Sequence, residues 1–287
     1  MCRTLKEGRA MERVIRTEWD EVAAQVVGVI AVMPGVVAVS LGGSVAVGLA
    51  DDASDLDLHV YWAEHLPPAD VRAARLRAIA DPDSIRTGLT SWGMEDQFSV
   101  GDRPVELIYR RWADVADEVE RAYDAGLPGQ GFTTAVLYSV ARGEPLHDPT
   151  GTLNAAGERL VREFPEATRT AVLRREIPLL GFHLGHLRRA QDRGDIVFAQ
   201  HLRYKVQMLF FDVLFALNRL YHPGEKRLLE HSRRCLVRPI ACENRWERAV
   251  RLPSDDPALP QHLGDLIAEL CDLVRLHGGM EIPSEPL

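Results

Sequence analysis

The stretch from Val39 to Leu58 constrains this chain more than any other. It runs from an apolar segment through Gly42-Gly43-Ser44 and about ten residues of turn and acidic loop to Asp55-Leu56-Asp57-Leu58. Residues Val36 to Leu41 are short, apolar and rich in β-branched side chains, which predicts a buried strand. Gly42 and Gly43 permit close backbone approach and unusual dihedrals where that strand gives way to a brief helix over 45–49. Ser44 falls at the helix N-terminus, where free N–H groups and the dipole favour a phosphate. Leu56 to Trp62 alternates, with Leu56, Leu58 and Val60 on one face and Asp57, His59 and Tyr61 on the other. Asp55 and Asp57, two positions apart, therefore point to one side. Two close carboxylates repel and stay ionised most easily beside a divalent cation, and hard oxygen ligands suit Mg²⁺. Glu106, inside the apolar strand Val105 to Tyr109, is a third carboxylate. On a solvated face it means little, but beside the aspartate pair it completes a site.

The remaining pattern divides the chain. Before residue 130 it alternates: an amphipathic helix over Arg9 to Met33, stopped by Pro34-Gly35, a helix from Pro67-Pro68 to Ile79, and a charged helix over Trp112 to Ala125. Between Asp81 and Val100 one or two strands are expected, with a loop at Trp92 and Gly93. Beyond 131 the strand signal nearly vanishes. Helical patterns follow over Thr150–Glu163, Ala167–Arg193, Asp195–Tyr221, Gly224–Arg234 and Pro260–His277, with breaks at Phe164-Pro165, Gly194 and His222-Pro223-Gly224. The fold class this predicts is α+β: a small mixed sheet with flanking helices over 1–130, then an all-α domain over 131–287, joined through Gly143 to Pro149. The tail after Gly278 reads as loose.

Composition narrows the function. With 46% hydrophobic and 26% charged residues in 287, there is material for a real core in one large or two medium domains. No apolar run approaches the roughly 20 residues of a membrane-spanning helix, and no signal core opens the chain, so a soluble, cytoplasmic protein is expected. Cys2, Cys235, Cys242 and Cys271 form no metal-ligand pattern and read as reduced thiols. The net charge of −8 disfavours gripping a nucleic-acid backbone and suits a cationic small acceptor or a protein partner. Lys6, Lys205 and Lys226 are the only lysines, which shortens the list for any functional one.

These motifs resemble the nucleotidyltransferase superfamily that includes DNA polymerase beta and the aminoglycoside and lincosamide nucleotidyltransferases. The resemblance rests on Val-Ser-Leu-Gly-Gly-Ser (39–44), Ser-Asp-Leu-Asp-Leu (54–58) and Val-Glu-Leu-Ile-Tyr (105–109), and covers residues 36–110. It implies that Gly43 and Ser44 hold a triphosphate and that Asp55 and Asp57 ligate Mg²⁺. Glu106 either ligates a second ion or acts as general base toward the acceptor hydroxyl. The segment Asn218 to Lys226 is similar to a turn between two helices in the small-molecule members, which makes Lys226 a nucleotide contact. Lys205, on a helix that can face the site, is a second.

The function so implied is Mg²⁺-dependent transfer of a nucleoside monophosphate from an NTP, with ATP first in line, to a hydroxyl-bearing small molecule such as an aminoglycoside or lincosamide. Two alternatives belong to other classes: modification of a partner protein or tRNA, and a catalytically silent nucleotide-binding module. The first predicts a partner-docking surface, and with RNA a basic stripe that the sequence does not show; the filled acidic positions disfavour the second.

Blander readings stand beside these. Asp51 and Asp52 read as surface charge, His59 as a satisfied structural histidine, and His183, His186 and His201 as helix-surface or interface residues. Phe210, Phe211 and Phe215 read as core.

Overall fold

A computed structural model describes residues 18–52, 54–90, 93–124, 126 and 132–279. The first residues of the expected N-terminal helix, the loop at Trp92, and the tail from residue 280 lie outside the described residues.

Helix α1, residues 18–30, buries Trp19, Ala23, Val26 and Ile30, a spacing that places them on one stripe. Gly35, at φ +87°, turns the chain into β1 (Val36–Leu41). After the single-turn α2 (Gly43–Ala46) comes β2 (Leu56–Trp62), paired antiparallel with β1. Helix α3 (Ala69–Leu76) follows Pro67-Pro68, and β3 (Arg86–Thr90) and β4 (Gly93–Val100) resolve the expected one or two strands into a hairpin. Strand β5 (Arg103–Arg111) pairs antiparallel with β4 and parallel with β2, and α4 (Trp112–Asp124) continues from it. Then come α5 (Ala135–Arg142), β6 (Glu144–His147) and α6 (Thr152–Arg162).

The six strands lie in the order β3-β4-β5-β2-β1-β6, a mixed sheet. One face of β2 and β5, with Leu56, Leu58, Val60, Val105 and Leu107, packs with the buried stripe of α1 and with Leu76 of α3 into a single core. Across that core Arg72 of α3 makes a buried, two-pronged ion pair with Asp96 of β4 at 2.8 Å, and the Tyr109 hydroxyl donates to the same carboxylate at 2.8 Å.

Among the described residues, those up to 117 together with 139–162 form one compact unit, and those of 118–138 and 163–279 a second. The expected link over Gly143 to Pro149 is instead strand β6, antiparallel to β1 at the sheet edge. Pro145 is tolerated there because an edge strand can spare one N–H donor. The sheet thus takes back residues beyond the cut at 130.

The second unit contains α7 (Glu166–Asp192), α8 (Ile196–Leu217), α9 (Leu228–Ser232), α10 (Cys242–Arg251) and α11 (Leu259–His277). Phe210, Phe211 and Phe215 are core as expected, packed with Trp246. Helices α5 and α10 were not anticipated. In α10 only Cys242, Trp246 and Ala249 are buried, so its apolar signal is sparse, and Ala241 gives it no capping side chain. Cys235, Cys242 and Cys271 are buried free thiols, and burial pushes Cys235 and Cys242 up to about 12. Among the described residues no helix is long and apolar enough to cross a membrane.

Candidate functional site

The site is built on the polar face of the sheet. Strands β2 and β5 run parallel with Asp57 directly opposite Glu106. Asp55 sits one residue before β2, on the same side as Asp57 by the two-residue strand period. Asp55, Asp57 and Glu106 each present a carboxylate oxygen, and these oxygens lie within 4.8 Å of one another. Asp57 is only 9% exposed. The three residues expected to form the acidic site are therefore brought together.

The glycine turn closes over the same carboxylates. The Gly42 N–H donates to the Asp57 carbonyl at 2.8 Å, which extends the β1–β2 ladder by one bond. Gly43 adopts φ +56°, and a Cβ there would fall 1.6 Å from Asp57 Oδ2. A Cβ at Gly42 would fall 2.6 Å from the His59 imidazole. Both glycines are thus required by contact with β2, and Gly43 also by its dihedral. Ser44 follows, half-buried, and its carbonyl accepts from Leu49 N at 2.9 Å. The acidic loop has an internal tie: Asp51 N donates to Ser54 Oγ at 2.9 Å, and Ser54 Oγ donates back to Asp51 Oδ1 at 3.0 Å. Asp51 is exposed, as expected of a surface charge, and also ties the loop to Ser54.

His59 follows Asp57 on the same face and is buried. Burial and then the nearby Arg110 charge push its imidazole down to about 3, so it is neutral at ordinary pH. Its Nδ1 has no hydrogen-bond partner among the described residues, so it is not the fully satisfied structural histidine expected.

Two residues on β4 were missed. Gln97, opposite Glu106 in the β4–β5 register, donates its amide to Glu106 Oε1 at 2.8 Å. Glu95, on the same face, is a fourth carboxylate. Burial pushes its carboxyl above the usual range; a hydrogen bond with Thr90 opposes the shift, and neighbouring Glu106 adds to it. The period-two alternation of Glu95-Asp96-Gln97 was the available signal, since it sends Asp96 to Arg72 in the core and its neighbours to the acidic face.

Lys205 and Lys226 belong to the second unit, which has its own features. Lys205 lies on α8 close enough to His183 of α7 to help lower that imidazole, after burial. Lys226 is exposed in the turn before α9. Its neighbours Glu225 and Arg227 line a cleft of about 530 Å³ between α8, α9 and α10, floored by Phe211 and Trp246. Among the described residues His183, His186 and His201 are not gathered with other ligands into a metal-ligand group, and Phe182 packs against His186 at 4.4 Å.

Within the same unit Glu176 of α7 and Asp212 of α8 form a buried carboxyl pair. Thr133 donates to Asp212 through N at 3.2 Å and Oγ at 2.9 Å, and Arg175 reaches Glu176 at 2.8 Å. Burial first, and then the Asp212 charge, raise the Glu176 carboxyl, so the pair shares a proton. Asp212, alone in the apolar run from Met208 to Leu217, was the visible signal for it.

A family described as a domain of unknown function (DUF4037) matches residues 130–228. No curated protein matches the chain. Among solved structures, a nucleotidyltransferase-like protein from Exiguobacterium sibiricum is similar at 16% identity, over 93% of this chain and 75% of that one, with a TM-score of 0.30.

Proposed function

We propose that this chain is a Mg²⁺-dependent nucleotidyltransferase, moving a nucleoside monophosphate from an NTP, ATP first in line, to a hydroxyl of a small acceptor. The observation that carries the reading is the convergence of Asp55, Asp57 and Glu106 to within 4.8 Å, under a glycine turn with no room for a side chain. The donor set fits the metal: three carboxylates are hard oxygen ligands, and their repulsion is relieved by a divalent cation. Magnesium, two ions in this reading, supplies charge stabilisation to the transferring phosphoryl group and its leaving oxygen.

The chain's own residues then have distinct tasks. Asp55 and Asp57 hold the metal. Glu106 completes the ligand set or takes the proton of the acceptor hydroxyl. Gly43 and Ser44 offer backbone N–H groups and a hydroxyl to the triphosphate. The acceptor oxygen bonds to the α-phosphorus as the bond to the bridging β-phosphate oxygen breaks. Pyrophosphate leaves, and the hydroxyl proton passes to Glu106 or water.

The net charge of −8 favours a cationic acceptor. An aminoglycoside leads and a lincosamide follows, which would make this a cytoplasmic antibiotic-modifying enzyme.

The test is Mg²⁺-dependent pyrophosphate release from each of the four NTPs, against a panel of aminoglycosides and lincosamides. Acceptor-dependent release is expected, and it should vanish in Asp57→Asn. Nucleotide binding that needs Asp57, without release on any acceptor, would redirect the reading to a macromolecular acceptor. Absence of Mg·NTP binding would end it.

A further inference from the structure

Asp57, Glu106 and Gln97 form one lateral row across three strands, since Asp57 pairs with Glu106 in the parallel β2–β5 register and Gln97 with Glu106 in the antiparallel β4–β5 register. Gln97, with Arg86 of β3 beyond it in the register, brings a neutral donor to that row, its Nε2 lying 2.8 Å from Glu106 Oε1. We infer that Gln97 is the positioning residue of the acidic site: its amide fixes the Glu106 carboxylate in the orientation that faces Asp55 and Asp57. This inference rests on the metal-site reading above and adds a residue to it.

The chemistry of the side chain suits the task. A half-buried carboxylate on the polar face of the sheet keeps its side-chain torsions, and a hydrogen bond from the neighbouring strand restricts them. A lysine or arginine at the same place would also hold Glu106, but its charge would compete with a cation for the carboxylate. An amide donates without competing. Gln97 is itself exposed, on the opposite face of β4 from the buried Asp96 and Phe98, so the fold does not depend on its side chain. Groups that hydrogen-bond a metal-ligating carboxylate contribute to affinity through the ligand they hold.

The experiment is Mn²⁺ binding to the full chain without nucleotide, read by electron paramagnetic resonance of free ion. Wild type, Asp57→Asn, Glu106→Gln, Gln97→Leu, Gln97→Met and the double variant Gln97→Leu/Glu106→Gln are compared, with thermal melts to establish folding. Wild type binds and Asp57→Asn does not. Both Gln97 variants lose about tenfold in affinity. The double variant binds no more weakly than Glu106→Gln alone, because Gln97 acts only through Glu106. A purely structural role would instead add to the Glu106 loss. Wild-type affinity in Gln97→Leu and Gln97→Met, or an additive double variant, overturns the inference while leaving the metal site standing. Failure of wild type to bind Mn²⁺, or binding undiminished in Asp57→Asn, overturns the metal site and this inference together.

Discussion

At the scale of single residues, Gly43 is the most demanding of the described glycines. An added methyl would overlap Asp57 Oδ2, and φ +56° costs a non-glycine residue about 1 kcal/mol. The relief available to Gly43→Ala is displacement of the Asp57 carboxylate, so function is expected to suffer before the fold does. Gly43→Ala should lose Mn²⁺ binding and pyrophosphate release while its melting temperature falls by only a few degrees. A variant that retains both activities would show that Asp57 has room to move. The surroundings of His59 illustrate the same economy, since the space its imbedded ring needs is the space a Gly42 side chain would occupy.

At the scale of elements, α3 is held to the sheet by a charge pair within an apolar core. Arg72 and Asp96 are 3% and 0% exposed, and the guanidinium also lies over the Tyr109 ring, 5.0 Å from its centre. Removing one partner leaves the other charged and buried, which costs about 3–5 kcal/mol, whereas removing both costs far less. Arg72→Met should therefore unfold at markedly lower urea than wild type, and Arg72→Met/Asp96→Leu should recover most of the loss. Equal destabilisation of single and double variants would mean that packing, not charge, dominates there. Helices α7 and α8 offer the contrasting case, where two acids face each other across the helix pair and a proton takes the place of a cation.

At the scale of the whole molecule, that shared proton makes stability depend on pH. The Glu176 carboxyl is raised in the folded chain, to about 8 from an ordinary 4.5. The folded state then binds more protons than the unfolded state between those values. Stability from this group is fully present below about 4.5 and is lost as pH rises through about 8. Melting temperature measured from pH 5 to pH 9 should decline on the alkaline side. In Glu176→Gln, which keeps a donor toward Asp212 with no proton to lose, the decline should flatten. An unchanged slope in Glu176→Gln would assign the decline to other groups. His59 and His222, both pushed down to about 3 chiefly by burial, act oppositely: their contribution is lost as pH falls below about 6.5 toward 3.

The sequence by itself determined strands β1, β2 and β5, the glycine turn after β1 and the pairing of Asp55 with Asp57 on one side. Alternation over Leu56–Trp62 set which face Asp57 occupies, glycines at 42 and 43 announced a turn without Cβ atoms, and Asp-x-Asp placed two carboxylates on one side. These follow from local sterics and periodicity, which act within a few residues. The tertiary structure alone decided that β5 lies parallel beside β2, so that Glu106 stands opposite Asp57, and that β4 delivers Gln97 and Glu95 to the same face. Strand order depends on which distant segments bury their apolar faces together, and no local pattern encodes it. The same reason hid β6: Glu144-Pro145-Leu146-His147 has little strand character of its own and becomes a strand only because β1 offers it an open edge.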